Sequence, residues 1–271
     1  MNLWKNTPTL DEFVPELLTP VTAEKAVIAV VGGKPIPLDE LPNLKGIFKC
    51  GVGTDNIPFE ECEKRGIEVC LPSEATRDII FEETANFAVK AVLDVLYASA
   101  GVLETWTKHS RPVLSRKTVL LLGQGNIGRK VKVKLESLLN VTTWDAATDA
   151  PEDLESLVRE ADAISLHIPL NDATTAWFDS EKMSWMKDGA GLVNTARGPV
   201  VDEQALLKEI EAKRIFAAFD VFWQEPYHGP LREHPEHFFM TPHIASTCAD
   251  FLEGLAKDLR RFSERLAGER I

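Results

Sequence analysis

Between Lys117 and Asp145 the chain reads KTVLLLGQGNIGRKVKVKLESLLNVTTWD, and few folds accommodate that order of residues. Val119, Leu120, Leu121 and Leu122 form an apolar run long enough for a strand buried on both faces. Gly123, Gly125 and Gly128 then stand at GxGxxG spacing, and Asn126 and Ile127 open a helical segment rich in Lys, Val and Leu. A second short run of strand-forming residues, VTTW over 141–144, ends in Asp145. Strand, glycine turn, helix, strand and acid is the context that a dinucleotide fingerprint needs. Gly123 permits the tight turn, Gly125 lets the backbone approach a pyrophosphate, and Gly128 lets the helix pack close to the strand. The phosphates belong on the helix N-terminus, where N–H groups and the dipole favour negative charge. Asp145 is placed to accept hydrogen bonds from a ribose diol, and Ala146 and Ala147 after it offer no cation for a 2′-phosphate. NAD(H) is therefore expected over NADP(H). The competing reading is an ordinary βαβ turn whose glycines serve packing alone.

At 271 residues the chain has room for one large domain or two ordinary ones. A net charge of −12 argues against nonspecific nucleic-acid or anionic-membrane binding, though not against a local cationic pocket for an acidic substrate. Cys50, Cys62, Cys70 and Cys248 show neither CxxC pairing nor zinc spacing, so they read as reduced thiols of a cytoplasmic protein, and no metal is expected. The opening MNLWKNTPTLDEF lacks a basic-then-apolar leader pattern, and no apolar run approaches membrane-spanning length.

The chain before the glycine turn suggests a small α/β unit. Residues 1–25 resist assignment. Strands are expected at 26–31, 46–50 and 67–71, with helices at 38–44 and 58–65. Residues Gly51-Val52-Gly53-Thr54-Asp55-Asn56 form a loop of small residues whose amides suit an anion, although alone it reads as a tight turn. Residues 81–99 carry apolar residues at helical spacing, with Glu82 and Glu83 near the start, and make a natural connector. After Asp145 the alternation continues. Helices are expected at 151–160, at 180–186 capped by Ser180, and at 202–213 capped by Asp202. Strands are expected at 163–168, 191–194, 215–221 and 238–241. From Val119 onward that makes six strands, the number in a complete doubly wound dinucleotide fold. An amphipathic helix at 249–266 is expected to return to the first unit. The expected architecture is α/β, with a discontinuous domain of residues 1–80 plus 250–271 and a nucleotide-binding domain of residues 81–249.

In an open parallel sheet, ligands bind outside the carboxyl ends of the strands. Three loops at that edge carry unusual polar residues: Asn194-Thr195-Ala196-Arg197-Gly198, then Asp220 through Glu225 and Pro226, then Thr241-Pro242-His243. Arg197, Glu225 and His243 can converge there beside a nicotinamide. An Arg offers a planar fork to a carboxylate, a His near neutrality can give or take a proton, and a Glu beside it orients the ring and favours its charged form. His167 and Pro169 end another strand on the cofactor edge, where His167 reads as a packing residue or a nucleotide contact. Trp223 reads as a pocket wall or as core. His228, His234 and His237 read as solvated.

The stretches KCGVGTDNI, LLGQGNIG, LHIPLNDATT, LVNTARGPVVDEQAL, FDVFWQEP and TPHIAS resemble the D-isomer-specific 2-hydroxyacid dehydrogenases, a family that includes phosphoglycerate dehydrogenase and glyoxylate/hydroxypyruvate reductase. They run in family order and cover most of the chain from Gly46 to Ser246. The resemblance implies a Rossmann nucleotide domain beside a smaller flavodoxin-like substrate domain, and NAD-dependent interconversion of a small D-2-hydroxyacid with its 2-keto acid. It implies that Arg197 binds the substrate's carboxylate and carbonyl, that His243 is the acid/base, and that Glu225 holds and tunes His243. Asp220 would contact the nicotinamide carboxamide, with His167, Pro169, Thr195, Ala196 and His243 also lining the cofactor. The amides around Cys50, Gly51, Val52 and Gly53 would bind the substrate carboxylate. A homodimer is expected, helped by the long connecting helix and the polar arm around Trp106. The sequence departs from the family pattern in a shortened first domain, in LPSEATRDIIFEETANF and in RPVLSRKT, which lacks the usual glycines. The rival from another class is an NAD(H)-sensing corepressor on the same fold. Formate or phosphite oxidation is a second rival, with formate disfavoured because Glu225 stands where the formate enzymes carry an amide.

Overall fold

In this computed structural model the described residues are 2–17, 21–103 and 105–268. The elements are β1 (Leu3–Lys5), β2 (Ile28–Val31), β3 (Gly46–Lys49), α1 (Phe59–Lys64), β4 (Glu68–Cys70), α2 (Glu74–Tyr97) and a hairpin of β5 (Gly101–Val102) and β6 (Thr107–Lys108). There follow β7 (Thr118–Leu122), α3 (Asn126–Leu135), β8 (Asn140–Trp144), α4 (Asp153–Glu160), β9 (Ala163–Leu166), α5 (Ser180–Trp185), β10 (Gly191–Asn194), α6 (Glu203–Glu211), β11 (Phe216–Phe219), β12 (Phe238–Met240) and α7 (Ala249–Leu266). They fall into two compact units, one from residues 1–80 and 247–271 and the other from residues 81–246.

The first unit holds a parallel sheet in the order β1-β2-β3-β4. Its edge strand β1 was not expected. Three residues are too few to show an alternating pattern, yet Leu3 is buried and pairs with Ile28. The helix expected at 38–44 is a single 3-10 turn, Leu38–Glu40, hemmed between Pro37 and Pro42. One face of the sheet is covered by α7, whose Phe251, Leu255, Leu259 and Phe262 join Phe48 and Val30 in one core.

Helix α2 begins at Glu74, seven residues before its expected start at 81. Its buried stripe runs Thr76, Ile80, Thr84 and Ala88, four residues apart. Two threonines on the inward face hide that stripe from a count of apolar residues. The first turn is held by Asp258 of α7, whose Oδ2 accepts from Ser73 N at 2.9 Å and Thr76 Oγ1 at 2.8 Å.

The second unit holds a six-stranded sheet in the order β12-β11-β10-β9-β7-β8, every pairing parallel. Strands β7, β9 and β10 have few polar residues because helices cover both faces. On one face Leu120, Leu122, Ile164, Leu166 and Leu192 meet Leu154, Val158, Met183, Leu206 and Ile210 from α4 to α6. On the other, Val119, Leu121, Ala163 and Val193 meet Ala88 and Val92 of α2 and Val131 and Leu135 of α3. The chain steps from β7 to β8 on one side and then returns to place β9 on the other. That reversal opens a crevice at the carboxyl ends of β7 and β9, the general position for a ligand in such sheets. Helix α5 is capped by Asp179 rather than Ser180: its Oδ1 accepts from Lys182 N at 3.1 Å, and Ser180 is the first helical residue. Asp202 caps α6 as expected.

Candidate active site

At the end of β7 the chain turns at Gly123, whose φ of +100° is open to glycine and strained for other residues. A Cβ there would lie 2.6 Å from the carbonyl oxygen of His167, the residue that follows β9. A Cβ on Gly128 would lie 2.1 Å from Gly123 O, so α3 starts closer to the turn than any side chain allows. Gly125 differs: a Cβ there meets no atom within 4 Å, which leaves open space at the N-terminus of α3. At the end of β8, Asp145 accepts from Gln124 N at 2.7 Å and Ala147 N at 3.0 Å. The amides of Ala147 and Gln124, with the charge of Arg129, outweigh burial and hold its carboxyl below the usual range. Arg129 has no counterpart among the expected site residues. Its Nε donates to Gln124 O at 2.6 Å, so it grips the far side of the peptide that Asp145 holds. The signal for it was its place directly after the third glycine.

His167 has its ring nitrogen Nε2 3.0 Å from Ser165 Oγ. Surrounding atoms desolvate the ring and push its pKa down to about 4, so it is neutral at ordinary pH. It is half-buried beside the glycine turn, and Pro169 two residues on is exposed. Thr195, expected on the cofactor edge, is 8% exposed, and its Oγ1 has no hydrogen-bond partner among the described residues. An orphaned hydroxyl, a helix N-terminus with open space before it and a carboxylate at the end of β8 together fit a dinucleotide.

The polar loops beyond β10, β11 and β12 are joined to one another. Buried Asn194 shapes the first: its Oδ1 accepts from Ala196 N at 3.0 Å and its Nδ2 donates to Arg197 O at 2.8 Å. Arg197 itself donates from Nη1 to Ala196 O at 2.7 Å. The next residue, Gly198, lies against the second loop, where a Cβ would stand 2.1 Å from the Phe222 carbonyl carbon. Glu225 in that loop accepts from Phe222 N through Oε1 at 3.1 Å and meets His243 Nδ1 through Oε2 at 2.7 Å. Burial works against its ionisation, but the bond and charge of His243, the Phe222 amide and the Arg197 charge outweigh it, and its pKa lies below the ordinary value. His243 sits at φ +55°, a left-handed turn closed by its own N–H on Thr241 O at 3.0 Å. Asp220, 1% exposed, spends its carboxylate on that turn: Oδ1 accepts from Thr241 Oγ1 at 2.6 Å and Ile244 N at 2.9 Å, and Oδ2 from Ala245 N at 2.8 Å. It is thus first a brace for the histidine loop. Asn194 and Gly198 were legible only as neighbours of functional residues, whereas Asp220 was expected at the cofactor and its bracing of the histidine loop was not foreseen.

The expected carboxylate loop, Cys50, Gly51, Val52 and Gly53, lies in the first unit after β3. Burial pushes the Cys50 thiol up to about 12, which makes it unreactive at neutral pH. Lys49 just before it is 3% exposed, with Nζ on Gly32 O at 2.6 Å and Asn56 Oδ1 at 2.7 Å.

A parallel sheet that reverses at a glycine turn, with an imidazole–carboxylate pair and an arginine on the same edge, defines a dinucleotide-dependent oxidoreductase. Residues 91–245 match the NAD binding domain of the D-isomer specific 2-hydroxyacid dehydrogenases, and residues 34–79 match part of the catalytic domain of that family. The chain belongs to the D-isomer specific 2-hydroxyacid dehydrogenase family: it is an NAD-dependent enzyme that interconverts 2-hydroxyacids and 2-keto acids. It is 33% identical to a hydroxypyruvate reductase of Thermotoga maritima over 262 residues, which is 92% of this chain and 82% of that protein. It is 34% identical to a glyoxylate reductase of Thermofilum pendens over 242 residues, 81% of this chain and 71% of that one. Among solved structures it is similar to D-lactate dehydrogenase from Aquifex aeolicus complexed with NAD and lactic acid, with a TM-score of 0.82 at 25% identity over 99% of this chain and 96% of that chain.

Proposed function

We propose that the enzyme acts on a small 2-keto acid of the glyoxylate or hydroxypyruvate type, with His243 as acid/base, Glu225 as its partner and Arg197 as the carboxylate clamp. The observation that carries this reading is the 2.7 Å contact between Glu225 Oε2 and His243 Nδ1, on a loop packed against the one that bears Arg197. Engaging Nδ1 leaves Nε2 as the ring nitrogen that gives a proton to the substrate oxygen in reduction and takes one in oxidation. Bound NAD supplies the hydride chemistry, and Gly123, Gly125, Asn126, Ile127, Gly128, Asp145, Thr195 and Ala196 are the residues proposed to hold it. A screen of glyoxylate, hydroxypyruvate, pyruvate and phosphohydroxypyruvate, following loss of NADH absorbance, tests the reading. Turnover is expected with at least one of the first two, and turnover with none of the four defeats it.

A homodimer and a cytoplasmic setting are part of the same proposal. Leu103, Trp106 and Val113, at 74%, 78% and 58% exposed, place apolar surface on the arm after α2, which supports self-association. Four free cysteines support a reducing compartment, and no helix of the described residues is long and apolar enough to cross a membrane.

A further inference from the structure

Residues Gln224, Glu225 and Pro226 project into solvent, yet Glu225 must keep one place relative to both His243 and Arg197. The projection is fastened at both ends. Before it, Trp223 donates from its indole Nε1 to Val201 O at 2.7 Å. After it, Tyr227 donates from its hydroxyl to Glu203 Oε1 at 2.7 Å. Both fasteners reach the segment that follows Arg197. That segment is firm: Val201 is 1% exposed and bridges to Phe178, and Glu203 is the first residue of α6. The Trp223 ring also stacks on Phe219 of β11, with centroids 5.9 Å apart at 26°. Its peptide neighbour Phe222 supplies the N–H that Glu225 Oε1 accepts.

We propose that Trp223 is a positioning residue: its indole N–H ties the Glu225 loop to the Arg197 loop, and thereby sets the acid/base pair against the carboxylate clamp. The inference rests on the roles proposed above for Arg197, Glu225 and His243. Arg197 fixes one end of a 2-keto acid, and the proton must arrive at an oxygen two bonds away. Slack between the two loops therefore misaligns the transfer even with every reacting group present, and a displacement near 1 Å is worth up to about a hundredfold in rate. Tyr227 is the second, lesser strut, since its partner Glu203 is a side chain that can move.

The test uses single-turnover reduction of hydroxypyruvate by NADH across pH, on the full chain and on Trp223→Phe, Tyr227→Phe, Glu225→Gln and the Trp223→Phe/Glu225→Gln double variant. Trp223→Phe keeps an aromatic ring against Phe219 and removes the donor together with the five-membered ring that carries it. It should lower the single-turnover rate about tenfold and shift the alkaline limb in the same direction as Glu225→Gln. NADH affinity, read by fluorescence titration, should stay within about twofold. In the Glu225→Gln background the further loss should be clearly smaller than in the parent, because a strut that acts through Glu225 then positions a side chain that has lost its charge. Full multiplication of the two effects, or a lowered unfolding temperature with rate and limb unchanged, overturns the proposal. Should Trp223→Phe fail to fold, Tyr227→Phe decides by the same criteria at a smaller amplitude. A Glu225→Gln enzyme with its pH limb in place sinks the underlying Glu–His reading and this inference with it. A silent Trp223→Phe beside an effective Glu225→Gln sinks this inference alone.

Discussion

Glu225 and His243 are partly open to solvent, with side chains 37% and 46% exposed, and still share a short contact. Removing the carboxylate charge without changing its size separates orientation from electrostatics. With Glu225→Gln the imidazolium loses the carboxylate that faces it at 2.7 Å. Reduction needs the protonated ring, so its alkaline limb should move to lower pH. Oxidation needs the neutral ring, so it should become active at lower pH. His243→Gln should depress both directions and leave no limb to assign, and single-turnover rates keep product release out of the reading. The folded-state pKa of Glu225 is depressed, so the pair's contribution to stability is present above the ordinary carboxylate value and lost as pH falls through the lowered one. Arg197→Lys replaces a planar fork by a point charge. It should cost about 2–3 kcal/mol of transition-state binding, with NADH fluorescence titration almost unchanged. An equal loss in NADH binding would make Arg197 a cofactor residue.

Elements place these residues through close approaches that only small side chains permit. The loops beyond β10 and β11 touch at Gly198, where a Cβ would meet the Phe222 carbonyl carbon, its oxygen and Trp223 N at 2.1, 2.4 and 2.5 Å. All three atoms are backbone, so relief requires the loops to part. Gly198→Ala should destabilise the fold by about 1–3 kcal/mol in urea unfolding. It should also lower the single-turnover rate by up to about a hundredfold, far more than Ala causes at Gly33, where a Cβ meets nothing within 4 Å. Equal effects at the two glycines would show that the loop contact does not align the site. Element boundaries followed local signals where these were strong. The turn at Gly123 and the helix capped by Asp202 were legible because turn and cap chemistry is written within a few residues. The start of α2 was not, because Thr76 and Thr84 face inward on it.

At the scale of the whole molecule, the arm after α2 exposes Trp106, Leu103 and Val113, and sedimentation at micromolar concentration should find a dimer. Trp106→Lys should shift the distribution toward monomer, and a monomer before any substitution would remove this part of the proposal. The sequence by itself determined that a glycine turn lies between two strands and that six strands alternate with helices from Val119 onward. It also placed Arg197, Glu225 and His243 at the ends of β10, β11 and β12, because apolar period and turn residues act over a few positions. Tertiary structure alone decided the pairings that make these residues a site. Glu225 with His243, Thr241 with Asp220, Trp223 with Val201 and Ala245 with Asp220 are 18, 21, 22 and 25 residues apart. No local preference encodes such contacts. They exist because parallel pairing of β10, β11 and β12 brings successive loops to the same edge, where buried donors and acceptors must find partners among whatever side chains the sheet has brought within reach.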